Sequence, residues 1–222
     1  MLPSSLFDWW FAPWTYAVDP ILRLPLAQDR LGQRDGYRVW CDQAQVAQDF
    51  PAQFHVAWHV AAISDSAELV ATARLFGGLF AARQHDQALL GLLTIEDRKW
   101  CLAIAATQPL QHCTRARYAA DDGIDVLGLV ELARWLDSGF PGLWSRLRLL
   151  LSSTTSLQVD RRLREADKPA IEPNSALLRA QRCWRLCRSR VEASRSHAQN
   201  TDYAEHNGRA SIRTAAMAMA AL

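Results

Sequence analysis

The sequence predicts an all-α fold, a compact irregular helical domain with an aromatic- and proline-rich opening and a basic helix near its C-terminus. Three observations carry this reading. From Leu69 onward apolar residues recur at i, i+3 and i+4, the period of a helix face. Capping residues stand at the start of several of these runs. No two-residue glycine turn lies between alternating apolar stretches, so the usual mark of a β-hairpin is missing.

Taken in order, the first 60 residues hold Phe7, Trp9, Trp10, Phe11, Pro13, Trp14, Tyr16, Pro20 and Pro25. Proline at this density forbids one long helix, so short helical turns and extended pieces laid on a core by their rings are expected. Trp40, Phe50, Phe54 and Trp58 continue the apolar supply. Asp65 with Glu68 forms a capping box ahead of Leu69, Val70, Ala73, Phe76, Leu79 and Phe80, which predicts an amphipathic helix of roughly 18 residues. Gly77 and Gly78 in its middle cost ~1 kcal/mol each against alanine, and so imply a close helix crossing or a break. A second helix is expected from His85 to Leu93, and a third opens at Thr94 with Asp97 and runs through Trp100, Leu102 and Ile104. Asp121 and Asp122 place acid at the start of a helix through Ile124, Leu127, Val130, Trp135 and Leu136, which Gly139 ends. Pro141 suits the first turn of a short helix after it. Residues 152–174 read as a linker, 175–195 as a basic amphipathic helix with Leu177, Leu178, Trp184, Cys187 and Val191 on its apolar side, and 196–222 as a disordered tail. The expected core is therefore residues 1–151.

Composition sharpens this division. Half of the 222 residues are apolar, and 25 basic against 23 acidic groups leave a net charge of +2. That balance conceals an acidic body, with 13 basic and 16 acidic groups in residues 1–150, and a basic remainder with 12 and 7. Lys99 and Lys168 are the two lysines, so the basic charge is almost all arginine. Cys41, Cys101, Cys113, Cys183 and Cys187 are odd in number and scattered, which fits buried thiols in a reducing compartment. The N-terminus lacks a basic run ahead of an apolar stretch, and no window reaches the roughly 18 uncharged residues of a membrane span. A cytoplasmic protein is the expectation.

Motifs of catalysis are sparse. His55 and His59 have the i, i+4 spacing of zinc proteases, but Val56 stands where their glutamate belongs, so ordinary histidines are the better reading. His112 with Cys113, and Cys183 with Cys187, lack a second ligand pair at zinc-site spacing. The carboxylates Asp121, Asp122 and Asp125 more simply cap a helix than perform acid–base chemistry. No nucleophile elbow or phosphate loop is present. Neither a catalytic residue, a cofactor nor a metal is expected; an enzyme would need a site assembled from scattered groups such as His55, His59, His85 and Asp121. The arginines from Arg161 to Arg195 are the densest charge, able to meet an anionic membrane or nucleic acid, though Trp184 is their lone stacking ring.

Three stretches in order resemble one family. Gly128 to Leu136 (GLVELARWL), followed by Pro141 to Leu150 (PGLWSRLRLL), is similar to a region of the SctK proteins of type III secretion, the YscK and OrgA relatives. Trp9, Phe11, Pro13 and Tyr16, then Asp19, Pro20 and Pro25, resemble that family's opening; Leu75 to Arg83 and Leu92 to Arg98 resemble its central helix pair. Together they span about residues 7–151. Leu151 and Ser152 replace a proline of the pattern, the first aromatic segment is about a residue longer at two points, and residues after 152 match no named family. The resemblance implies a non-enzymatic cytoplasmic adaptor of the sorting platform, at the cytoplasmic face of the inner-membrane secretion complex. It would link an SctD-like inner-membrane ring protein to an SctQ-like pod protein, with SctL and SctN reached through the pod. Trp144, Arg146 and Arg148, on the short helix after Pro141, are the expected partner-binding residues, since Trp and Arg are the types that anchor interfaces. A peripheral membrane or nucleic-acid binding protein acting through the C-terminal arginines is the alternative.

Overall fold

In a computed structural model the chain is described over residues 2–22, 30–108, 110, 122–165 and 174–219, the last helix with its side chains as far as residue 197. The fold is all-α, with no strand among the described residues. Its centre is α3 (Ser66–Gln84) crossed by α6 (Ile124–Gly139); α4 (Gln87–Leu90), α5 (Ile95–Thr107) and α9 (Asn174–Met219) pack on α3, and α7 (Leu143–Leu147) and α8 (Ser153–Glu165) pack on α6. α1 (Ser4–Phe11) and α2 (Arg30–Ala44) complete one corner.

Local chemistry sets the helix starts. The Asp65 carboxylate accepts hydrogen bonds from the backbone N–H groups of Ala67 and Glu68, and the Thr94 hydroxyl accepts one from Asp97. These satisfy donors that the first turn leaves unpaired. α3 ends where His85 turns left-handed at φ 56° and Asp86 caps a new turn, so the helix expected from His85 to Leu93 shrinks to α4. Pro141 likewise lies outside α7, because Gly142 at φ 82° redirects the chain before the helix begins.

The glycine pair marks crossings, not a break. A Cβ on Gly77 would stand 2.1 Å from the Ile124 carbonyl oxygen of α6, and one on Gly78 2.7 Å from Cys101 Sγ of α5. Gly128 answers from the other side, its Cβ position 1.8 Å from the Ala73 carbonyl oxygen. Backbone meets backbone here, so α3 is buried on every side from Leu75 to Ala82 and is not the half-exposed amphipathic helix expected.

Three further expectations change. α2 is a 15-residue helix, where short turns were expected, because no proline falls between Pro25 and Pro51. The expected linker contains α8: the Ser152 hydroxyl accepts from the Thr155 N–H, Val159 is buried, and Arg161 and Arg162 pair with Asp122 at the foot of α6. The serine–threonine run is thus a cap. Most consequential is α9, whose Ala176, Leu177, Ala180, Cys183, Trp184, Cys187 and Val191 are buried in the main core, Trp184 edge-on to Phe76 at 5.4 Å. The basic helix is a wall of the domain, and its backbone continues helical to Met219 through the stretch expected to be disordered. Among the described residues no helix is long and apolar enough to cross a membrane.

Candidate functional site

The three expected interface residues share α7 but face different ways. Leu143, Arg146, Leu147 and Leu150 recur at i, i+3, i+4 and i+7, so Arg146 lies on the inward side with the leucines and has no exposed surface. It is therefore not a contact for a partner. Trp144 is half-buried against the core, and Arg148, also half-buried, reaches Asp160 of α8 at 3.5 Å.

Arg146 instead holds a corner of the molecule together. Its guanidinium carbon lies 3.6 Å from the Trp10 ring centroid. Nε donates to the Trp10 carbonyl at 3.0 Å, and Nη2 to the Ala47 carbonyl at 2.7 Å and the Tyr37 hydroxyl at 3.2 Å. No carboxylate pairs with it among the described residues. Carbonyl dipoles and the negative ring face take the place of water around the cation. Burial draws the Arg146 pKa down, with Tyr37 and Tyr16 opposing it; burial pushes Tyr37 up to about 12 and Tyr16 well above the tyrosine range. The Tyr37 hydroxyl donates in turn to the Gln48 carbonyl at 2.8 Å.

On this support stands a row of aromatic side chains that reach solvent. α1 is two-sided: Leu6, Trp9 and Trp10 point inward, while Phe7 and Phe11, four residues apart, are 40% and 41% exposed. Phe7 lies 5.2 Å from Phe50, Phe11 6.0 Å from Tyr37, and Tyr37 6.2 Å from Trp14. Trp10, with Arg146 on its face, meets Phe50 at 4.9 Å, and Phe50 in turn meets Phe7, so the outer rings rest on inner ones. The density of rings in the sequence points to Phe7 and Phe11 as core supply, whereas both are partly exposed. The signal is the i, i+4 spacing of Phe7 and Phe11, which puts them on one face of a helix, with Trp9 and Trp10 between them on the other.

The scattered polar groups do not converge. His55 precedes a 3-10 segment, Val56–Ala61, whose three residues per turn rotate His59 off the face of His55; His59 Nδ1 engages the Val56 carbonyl at 2.8 Å. His85 is exposed at the end of α3, and Asp121, His112 and Cys113 lie outside the described residues. Among the described residues no group of three or more His, Cys, Asp or Glu is placed to hold a metal ion. Cys41, Cys101, Cys183 and Cys187 are buried free thiols; burial pushes Cys101 up to about 12 and Cys183 up to about 11. Comparison with known proteins returned no matching family model, curated protein or solved structure.

Proposed function

We propose that this chain is a cytoplasmic adaptor of the SctK type in a type III secretion sorting platform, joining an SctD-like inner-membrane ring protein to an SctQ-like pod protein, and through the pod to SctL and SctN. The observation that carries the reading is the Phe7–Phe11 row. Half-exposed aromatic side chains over a buried support, in which Arg146 donates to the Trp10 and Ala47 carbonyls, are what interface hot spots are made of. The order of sequence motifs supports the choice of family.

The test is capture of the ring protein's cytoplasmic domain and of the pod protein by the full chain, with and without Phe7→Ser and Phe11→Ser. Loss of at least one partner, with the helical circular dichroism spectrum retained, is the expected result. Unchanged capture of both, or no capture by the unaltered chain, overturns the proposal. A membrane or nucleic-acid reading through α9 has less support, because Arg188, Arg190 and Arg195 spend their charge on Glu68, Asp97 and Asp65 of the same chain.

A further inference from the structure

α5 and α9 lie antiparallel on α3, Arg190 meeting Asp97 and Leu186 sharing a groove with Ile104, yet the two helices touch each other sparsely. The space between them is an open groove of about 650 Å³. Its walls are apolar toward one end, where Trp100 and Ile104 of α5 face Leu186 of α9, while Ser189, Ser194 and His197 continue it along α9. Leu186 is 37% exposed on a helix whose buried side already holds Trp184 and Cys187, so it is not required by the core. The Arg190 guanidinium sits 5.5 Å from the Trp100 ring centroid and pairs with Asp97 at 3.1 Å, which fixes the groove floor.

Charge around this groove is uneven. Arg182 precedes Leu186 by one turn and Arg185 adjoins it; both are exposed and make no ion pair among the described residues. Lys99 is exposed on the outer side of α5. None of the three lines the groove itself, whose lining charges are Glu96, Arg190 paired with Asp97, and His197; Arg182 and Arg185 continue the groove-facing side of α9 one turn N-terminal to Leu186 and Ser189, and Glu192 is engaged by Arg188 at 3.1 Å. Two roughly parallel helix axes with an apolar trough between them receive a third helix readily, by laying its i, i+3, i+4, i+7 side chains into the trough. The surplus of unpaired cations selects the sign of that helix's flanks.

We infer that the α5–α9 groove is a second docking site, for an acidic amphipathic helix of a partner protein, with Trp100, Ile104 and Leu186 receiving its apolar stripe and Arg182 and Arg185 its carboxylates. The groove shares no residue with the Phe7–Phe11 row, so this site stands or falls independently of the adaptor reading. Its place on α9 also gives a use to two arginines that no acid among the described residues neutralises.

The experiment uses the full chain and two labelled synthetic peptides of about five helical turns, roughly 18 residues. Both carry the same leucine stripe, one with glutamate and the other with lysine on its flanks, and binding is read by fluorescence anisotropy at low and high salt. The glutamate peptide binds, and more weakly as salt rises; the lysine peptide binds at least ~10-fold less tightly. Leu186→Glu weakens the glutamate peptide by ~10-fold or more, as does Ala193→Trp, which fills the trough from an exposed position without touching the core. Arg182→Glu with Arg185→Glu weakens it ~3–10-fold and flattens the salt dependence. Phe7→Ser with Phe11→Ser leaves it unchanged. Equal binding of the two peptides, no binding of either, indifference to both groove variants, or a self-association seen by light scattering that Leu186→Glu abolishes, each overturns the inference.

Discussion

At the α1–α7 corner Arg146 is sealed from solvent and answered by carbonyls, a hydroxyl and an indole face, with no carboxylate among the described residues; along α9 Arg188, Arg190 and Arg195 are 27–41% exposed and each is answered by a carboxylate, with the Val60 carbonyl beside Arg188 and the Trp100 ring beside Arg190. In the first place the cation is part of the interior, and its removal strands the backbone acceptors that had given up water for it. In the second the attachment is already made by Trp184 and its neighbours, and the arginines add ion pairs at the starts of α3 and α5. The same residue type therefore has unequal worth: formal charge says little about how much an arginine stabilises, whereas what replaces its water says a great deal.

The largest effect expected is on the apolar side of α9. Trp184→Ala opens a cavity against Phe76 and should destabilise the fold by about 3–5 kcal/mol. Chemical denaturation followed by circular dichroism measures it; a loss below about 1 kcal/mol would mean that the arginines, not the core, hold this helix. Arg146→Met comes next, at about 2–4 kcal/mol, because the Trp10 and Ala47 carbonyls lose their donors at ~1–3 kcal/mol apiece. Arg146→Lys should recover little of that, since an ammonium lacks the planar fork that reaches both carbonyls and stacks on Trp10. Full rescue by lysine would show that charge alone matters at the corner and would erase the contrast.

What could be read in the sequence follows the range over which each cause acts. The caps at Asp65 and Thr94 were legible because a capping side chain and its amide sit two or three residues apart. Gly77 was legible because two adjacent glycines in an apolar run have few uses other than a close crossing. The apolar set of α9 was also visible, but periodicity states which face is apolar and not what lies against it, so a helix inside the core looked like an appendage. Net charge reinforced that error, since Arg188, Arg190 and Arg195 of the basic α9 are paired with acids near 65 and 97, distant in sequence and adjacent in space. Arg146 was placed at the surface on the general habit of arginine, although its spacing from Leu143, Leu147 and Leu150 pointed inward. Of the expected site, Trp144 and Arg148 reach the surface in part; the Phe7–Phe11 row was hidden by the assumption that aromatic residues are simply buried.

Smaller effects test the other half of the contrast. Arg188→Gln with Arg195→Gln removes the bridges to Glu68 and Asp65, each partly exposed pair contributing ~0.2–1 kcal/mol, together with the Arg188 bond to the Val60 carbonyl at about 1 kcal/mol. For a chain of this size that amounts to a few degrees in thermal midpoint at low salt, shrinking as salt is added. A loss as large as that of Arg146→Met, or one indifferent to salt, would place these arginines in the same class as the buried one.

The smallest expected effect is the acid limb of one such pair. The side-chain bond from Arg195 holds the Asp65 carboxyl below its ordinary value, helped by the Glu68 and Ala67 amides and opposed by its slight burial. A carboxyl whose folded pKa lies below its unfolded value of ~3.9 stabilises the fold above that pH, and the contribution disappears as pH falls through the folded value. Asp65→Asn keeps an N-cap whose one oxygen can accept the same two amides, since asparagine caps as well as aspartate, and removes the charge and the second oxygen that Arg195 meets. The midpoint difference between the unaltered chain and this variant should be about 1–2 °C at neutral pH and should close as acidification carries the solution below the ordinary carboxylate range and through the lowered value of Asp65. Other carboxylates titrate equally in both proteins and cancel in that difference. A gap that persists unchanged into acid would mean that Asp65 acts through its cap alone, and that Arg195 adds nothing to the hold on α9.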